Sequence, residues 1–318
     1  MKFVDLDGYA ANPGDISWEP LRELVDLVVY DNSTPEEIID RAKDADAILV
    51  NKINITREVI AQLPKLKYIG ELATGYNNID IRAARERGII VTNIPAYSTN
   101  SVAQFVFAHL LNVATQVDHY ARASREKVWC RKDMFCYWDE PLMELSGKTL
   151  GIVGLGNIGY KVAQIAHTLG MDVSAFTSKN SNDLPEWIRK TTLDGLYNTS
   201  HVISLHCPLT PENTRMINKE AIEKMHPDTI LINTGRGALV DEHDMAEALA
   251  ENKIKAYCAD VLTDEPPHED NPLFPLPNAF ITPHIAWATV EARQRLMGIC
   301  VENVRSFLEG TPQNVVNP

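Results

Sequence analysis

The sequence has no uninterrupted apolar run near the roughly 18 residues that a membrane-spanning helix needs. Its opening residues, MKFVDLDGYAANPGD, carry acids where a secretory leader needs an apolar stretch. Neither a membrane protein nor a secreted one is expected, and a cytoplasmic location is. Cysteine is scarce. The five residues, Cys130, Cys136, Cys207, Cys258 and Cys300, form no C-x-x-C pair and have no histidine at zinc-ligand spacing. They read as reduced thiols, with no disulfide scaffold and no metal centre. Basic charge is also in deficit. Thirty Lys and Arg against 43 Asp and Glu leave a formal charge of −13, which repels nucleic acid and anionic membrane. No basic stripe, internal repeat or low-complexity segment interrupts this picture.

What is present points to an ordinary α/β globular chain. At 318 residues with 45% hydrophobic content, two domains with proper cores are expected. The organising stretch is 148–176, KTLGIVGLGNIGYKVAQIAHTLGMDVSAF. Leu150, Ile152 and Val153 read as a buried strand. Gly154-Leu-Gly156-Asn-Ile-Gly159 follows at once, then Val162, Ile165, Ala166 and Leu169 at helical spacing, a stop at Gly170, and a second apolar run. A strand, a G-x-G-x-x-G turn, a helix and a strand within about thirty residues is the context of dinucleotide binding. Gly154 permits the tight turn, Gly156 keeps a side chain away from a pyrophosphate, and Gly159 lets helix and strand approach. The helix N-terminus attracts phosphate. Three glycines serving a turn alone is the plainer alternative. At the tip of the second strand, an Asp or Glu normally bonds the adenosine ribose. Here the residues are Thr177-Ser178-Lys179, two hydroxyls and a cation. Acceptance of NADP is therefore expected, with NAD and a solvated lysine as the alternative.

Short apolar runs alternate with helical patterns on both sides of this unit. Met1–Leu6, Val25–Tyr30, Ala47–Val50, Leu66–Ile69 and Ile89–Thr92 read as strands of a first unit. Thr34-Pro35-Glu36-Glu37 marks a helix start. Thr99–Tyr120 reads as one long apolar helix, on which His109 is expected to pack rather than catalyse. Residues 121–145, with Trp129, Phe135, Tyr137 and Trp138, read as an arm that packs on a second subunit, or as a loop with its own small cluster. His201–Leu205, Thr229–Asn233, Lys255–Val261 and Ala279–Thr282 read as later strands, and Thr289–Leu308 as a closing helix. The architecture implied is two doubly wound, Rossmann-like domains with parallel sheets and a deep cleft between them. A dinucleotide-binding domain would span 99–288. A flavodoxin-like, substrate-binding domain would comprise 1–98 and 289–318.

Three polar groups follow successive strands of the nucleotide domain: Arg236 in Asn233-Thr-Gly-Arg-Gly237, Glu265 in Asp260–Pro267, and His284 in Pro283-His-Ile-Ala-Trp287. Open α/β sheets place their ligands at these ends. The set suits hydride transfer to a carbonyl. Arginine offers a fork to a carboxylate and polarises a ketone. Histidine delivers a proton near neutral pH, and an adjacent carboxylate orients it.

These segments, with Leu72–Asp80 and His206-Cys-Pro-Leu-Thr210, occur in the order and spacing of the D-isomer-specific 2-hydroxyacid dehydrogenases, which the chain resembles over essentially its full length. The resemblance implies catalytic roles for Arg236, Glu265 and His284. It implies that Asp260 lies by the nicotinamide, and that Asn157 and Ile158 contact the pyrophosphate. Cys207, Pro208, Thr234 and Gly235 would line the cofactor. Thr74 and Gly75 would offer backbone N–H groups to the substrate carboxylate. The family normally has Asp where Thr177 stands. Asn51, Trp287 and Trp138 of the partner subunit are further candidates for substrate contact. Ala73–Asn78, Phe135–Trp138 and His284–Trp287 look most like the glycerate dehydrogenase, or hydroxypyruvate reductase, branch. The resemblance also implies a homodimer through 99–145. The expected reaction joins NAD(P)H to C2 of a small 2-oxo acid, hydroxypyruvate or glyoxylate, giving D-glycerate or glycolate. D-Lactate or 3-phosphoglycerate are the alternatives of the same chemistry, and a dinucleotide-sensing, corepressor-like binding protein is the alternative of another class.

Overall fold

The computed structural model describes all residues, Met1–Pro318, which separate into two compact units. The first comprises Met1–Ser98 and Ala288–Pro318, the second Thr99–Trp287. Ala288 thus falls one residue across the boundary drawn from the sequence.

The first unit contains one parallel sheet of β1 (Lys2–Asp5), β2 (Asp26–Val29), β3 (Ala47–Val50), β4 (Tyr68–Glu71) and β5 (Ile90–Thr92), in the order β2-β1-β3-β4-β5. Every residue of β3 and β4 is buried, as expected of parallel strands covered on both faces. The Pro35–Ala42 helix starts with a capping box: the Thr34 N–H donates to the Glu37 carboxylate at 2.9 Å. The Val290–Leu308 helix also belongs to this unit. Its Phe307 ring lies 4.6 Å from that of Tyr68 on β4, and Arg293 forks onto both oxygens of Asp15 at 2.5 and 2.6 Å.

The second unit holds a seven-stranded parallel sheet in the order β12-β11-β10-β9-β6-β7-β8. Its strands are β6 (Thr149–Val153), β7 (Asp172–Phe176), β8 (Ile188–Lys190), β9 (Val202–Leu205), β10 (Ile230–Asn233), β11 (Ala256–Ala259) and β12 (Ala279–Ile281). The strand order turns back between β6 and β9, which is where such sheets bind their ligands. One face is covered by Val106, Leu110 and Val113 together with Val162 and Ala166. The other is covered by Leu196, Met245 and Leu249.

Two features depart from the sequence reading. The single helix expected over Thr99–Tyr120 is two, Thr99–Thr115 and Val117–Arg125, broken at Gln116, which takes a left-handed conformation with φ 53°. No glycine or proline marks the break. The two segments differ in burial: the first helix buries nine residues, whereas the second buries none. Strand β8 was not expected at all, because Ile-Arg-Lys is too short and too polar to show a period.

His109 is buried on the first helix, with Nε2 3.3 Å from Thr282 Oγ1. Burial lowers its pKa, and the charge of Asp260 only partly opposes this. The unfolded histidine titrates near about 6.5, so below that pH the unfolded chain binds the extra proton and native stability falls as pH drops. We predict that His109→Gln weakens the fall in melting temperature between about pH 7 and pH 5. An unchanged slope would exclude a neutral, buried His109.

Candidate active site

The turn after β6 has the mechanics that a dinucleotide requires. Gly154 sits at φ 93°, and a Cβ there would meet the backbone N of Cys207 at 2.6 Å. A Cβ on Gly159 would lie 2.1 Å from the Gly154 carbonyl oxygen. Gly156 is the opposite case: a Cβ there meets nothing within 4 Å, so the space over it is open. Gly156 caps the Asn157–Thr168 helix without a side-chain hydrogen bond. The first N–H bonded inside the turn is that of Tyr160, to Gly156 O at 2.9 Å. The N–H groups of Asn157, Ile158 and Gly159 precede it and carry the helix's positive end. At the end of β10, Thr234 Oγ1 is buried without a partner, an orphan that a bound group would satisfy. The open Gly156 and the orphaned Thr234 hydroxyl both fit a dinucleotide.

The other expected nucleotide residues follow neighbouring strands. Thr177, Ser178 and Lys179 succeed β7, where Thr177 Oγ1 accepts from the Lys179 N–H at 3.3 Å. Cys207 and Pro208 succeed β9, and the Pro208 carbonyl accepts from Asn213 Nδ2 at 2.8 Å. Burial pushes the Cys207 thiol up, which favours its neutral form.

Arg236 is held by its own turn. Asn233 Oδ1 accepts from the Gly235 N–H at 3.1 Å, and Asn233 Nδ2 donates to the Arg236 carbonyl at 2.8 Å. Gly237 is pressed against the next loop: a Cβ there would fall 1.9 Å from the carbonyl carbon of Leu262. This contact sets the Arg236 turn directly on the loop that carries Glu265. Glu265 uses both oxygens. Oε1 accepts from the Leu262 N–H at 3.0 Å, and Oε2 lies 2.6 Å from His284 Nδ1. With Nδ1–H given to the carboxylate, Nε2 of His284 is left for chemistry.

The backbone of His284 is strained, with φ 55°, a conformation that non-glycine residues avoid. Its turn is tied at several points. Asp260, 1% exposed, accepts at Oδ1 from Thr282 Oγ1 (2.7 Å) and the Ile285 N–H (2.9 Å), and at Oδ2 from the Ala286 N–H (2.7 Å). Ser101 Oγ donates to the Ala286 carbonyl at 2.5 Å, and Trp287 Nε1 to the His284 carbonyl at 2.8 Å. Asp260 thus braces the histidine turn with three accepted bonds, and the Trp287 indole N–H is committed to that same turn.

In the first unit, Asn51 follows β3 and Thr74 and Gly75 follow β4. Asp7 accepts from the N–H groups of Asn51, Lys52 and Ile53 at 2.8, 2.6 and 3.1 Å. Asn51 Nδ2 donates to the Leu72 carbonyl at 2.7 Å. The Thr74 hydroxyl donates to Ile94 O at 2.8 Å. The N–H groups of Thr74 and Gly75 donate to no backbone acceptor.

The family model for the D-isomer specific 2-hydroxyacid dehydrogenase NAD binding domain matches residues 107–286. The chain is 46% identical over 321 aligned positions to a hydroxypyruvate reductase of Blautia hydrogenotrophica, covering all of both proteins. It is 40% identical over 285 residues to a glycerate dehydrogenase of Methylorubrum extorquens, covering 89% of each. The D-lactate dehydrogenase of Aquifex aeolicus, solved with NAD and lactic acid, superposes with a TM-score of 0.88 at 30% identity, over 100% of this chain and 99% of that one. The chain belongs to the D-isomer specific 2-hydroxyacid dehydrogenase family. It is an NAD(P)-dependent oxidoreductase of 2-hydroxy acids, within the glycerate dehydrogenase-like branch.

Several braces of this dehydrogenase were not read from the sequence. Ser101 and Thr282 hold the histidine turn. Glu242 holds the Glu265 loop, accepting from the Thr263 N–H at 2.6 Å and from Asn271 Nδ2 at 2.7 Å. Asp7 holds the turn after β3. Ser101, Glu242 and Asp7 are distant in sequence from what they brace, and Thr282, two residues before His284, acts by donating to the distant Asp260, so no local pattern marks any of them. Removing one acceptor strands buried donors, at about 1–3 kcal/mol each. We therefore expect Asp260→Ala to lower both the melting temperature and kcat/KM, the latter at least about tenfold through misplacement of His284. Unchanged kcat/KM in a folded variant would show that the turn holds itself.

Proposed function

We propose that this enzyme reduces hydroxypyruvate to D-glycerate, and glyoxylate to glycolate, with NADPH. The observation that carries the substrate assignment is the full-length likeness to a hydroxypyruvate reductase. The coenzyme assignment rests on Thr177-Ser178-Lys179, which present no carboxylate to repel a 2′-phosphate. When bound, the dinucleotide supplies a hydride to C2 of the 2-oxo acid. The chain's own residues do the rest. The Arg236 guanidinium anchors the substrate carboxylate and polarises the ketone. His284, oriented by Glu265 through Nδ1, gives the proton at Nε2 to the carbonyl oxygen as the C=O π bond becomes a C–O single bond. Thr74 and Gly75 offer their N–H groups to the substrate carboxylate, and Asn51 shapes the same turn. Asp260 and Trp287 act through the histidine turn. Gly154, Gly156, Asn157, Ile158 and Gly159 carry the pyrophosphate, with Cys207, Pro208, Thr234 and Gly235 along the cofactor.

The arm supports a homodimer reading. Phe135 is 94% exposed and Trp138 64%, and Trp129, Met134 and Leu142 are exposed beside them in sequence. So many apolar side chains on one segment call for cover, and a second copy supplies it. No cysteine is paired, which suits a reducing compartment, and we assign the cytoplasm on that ground. No helix is long and apolar enough to cross a membrane.

Steady-state reduction, followed by loss of dihydronicotinamide absorbance, tests the assignment. Hydroxypyruvate should give the highest kcat/KM among hydroxypyruvate, glyoxylate, pyruvate and 3-phosphohydroxypyruvate. A higher value for either of the last two would move the substrate. Arg236→Ala should lower kcat/KM at least about 10²-fold, the scale of a lost electrostatic contact in a transition state. Sedimentation of a 35.5 kDa monomer would contradict the dimer.

A further inference from the structure

The nucleotide-binding pattern ends at Lys179, but the structure brings a second cation to the same place. Strand β8 lies at the edge of the sheet, parallel to β7, with Lys190 opposite Ala175. The Thr191 N–H donates to the Ala175 carbonyl at 3.0 Å, so both strands end side by side. Lys190 Nζ donates to the Lys179 carbonyl at 2.5 Å. The Lys179 N–H in turn donates to Thr177 Oγ1 at 3.3 Å, and Lys179 Nζ stands 5.9 Å from the centre of the Tyr160 ring. The Lys190 ammonium is thus held against the main chain of the Thr177-Ser178-Lys179 tip, a strand end that carries two lysines and two hydroxyl residues. No acid occurs from Thr177 to Asn180, and Asp183 accepts from Asn180 Nδ2 at 3.2 Å.

The adenosine ribose is bound at the end of the strand after the glycine turn. A bare 2′-hydroxyl there wants a carboxylate acceptor, whereas a 2′-phosphate is dianionic and wants donors. An ammonium carries three N–H donors. Lys190 gives one to the Lys179 carbonyl, which fixes the loop, and two remain for phosphate oxygens. We propose that Lys190 is a specificity-determining residue that, with Lys179, receives the 2′-phosphate of NADPH. The inference rests on the coenzyme reading above and adds to it a residue outside the glycine motif and its loop.

Titration calorimetry of NADP⁺, NAD⁺ and adenosine 2′,5′-bisphosphate, on wild type, Lys190→Ala and Lys190→Arg, tests it without turnover. In Lys190→Ala the Kd for NADP⁺ and for the bisphosphate should rise at least about tenfold, as expected for one lost charge-assisted bond. The Kd for NAD⁺ should move by less than about twofold, and Lys190→Arg should stay close to wild type, because arginine also donates to phosphate. An equal loss for NAD⁺ and NADP⁺ would reduce Lys190 to a brace of the loop and overturn the proposal. Unaltered NADP⁺ affinity in Lys190→Ala, in a protein whose wild type prefers NADP⁺, would overturn the proposal alone. A wild type that binds NAD⁺ far more tightly than NADP⁺ would overturn the coenzyme reading and this inference together.

Discussion

The site depends on one unfavourable backbone turn being held in place. His284 adopts a left-handed conformation that costs roughly 1–3 kcal/mol for such a residue. The cost is offset by the Asp260 carboxylate, which is buried and accepts three hydrogen bonds, two of them from the N–H groups immediately after the histidine. Ser101 and Trp287 tie the same turn through its Ala286 and His284 carbonyls. A ring fixed in this way can meet Glu265 at 2.6 Å and keep Nε2 for the substrate. Without the brace the ring would sample many directions, and a proton donor that is out of line loses its advantage.

The same economy runs through the sheets. Parallel strands end together, so loops far apart in sequence emerge at one edge. Glycines then set how closely those loops approach. Gly154 admits the backbone of Cys207, and Gly237 admits that of Leu262, at distances no side chain would tolerate. Gly156 differs in having open space above it, which suits a ligand rather than a neighbouring loop. Packing and binding are thus separate uses of one residue type, and the structure distinguishes them.

Fold and chemistry were legible in the sequence where signals are local. The glycine turn is flanked by apolar runs, capping residues precede several helices, and Arg236, Glu265 and His284 each follow a strand. The apolar run Ala47–Val50 coincides with strand β3 residue for residue. The rest was not legible, for physical reasons. The break at Gln116 falls at a residue that is neither glycine nor proline, so no breaking residue records it. Strand β8 is three residues long and exists through its pairing with β7. Lys190 was therefore invisible as a neighbour of Lys179. Ser101, Glu242 and Asp7 act across long stretches of chain, and a carboxylate that accepts backbone N–H groups leaves no pattern in its own surroundings.

The central claim is that His284 is the proton donor in reduction. The most direct measurement is the kcat/KM for hydroxypyruvate of His284→Ala, with and without added imidazole, beside the affinity for NADPH. The account predicts unchanged NADPH affinity, a loss of at least about 10²-fold in kcat/KM, and partial recovery when imidazole supplies the missing acid. Turnover near that of the wild type, in a folded variant without imidazole, would contradict it.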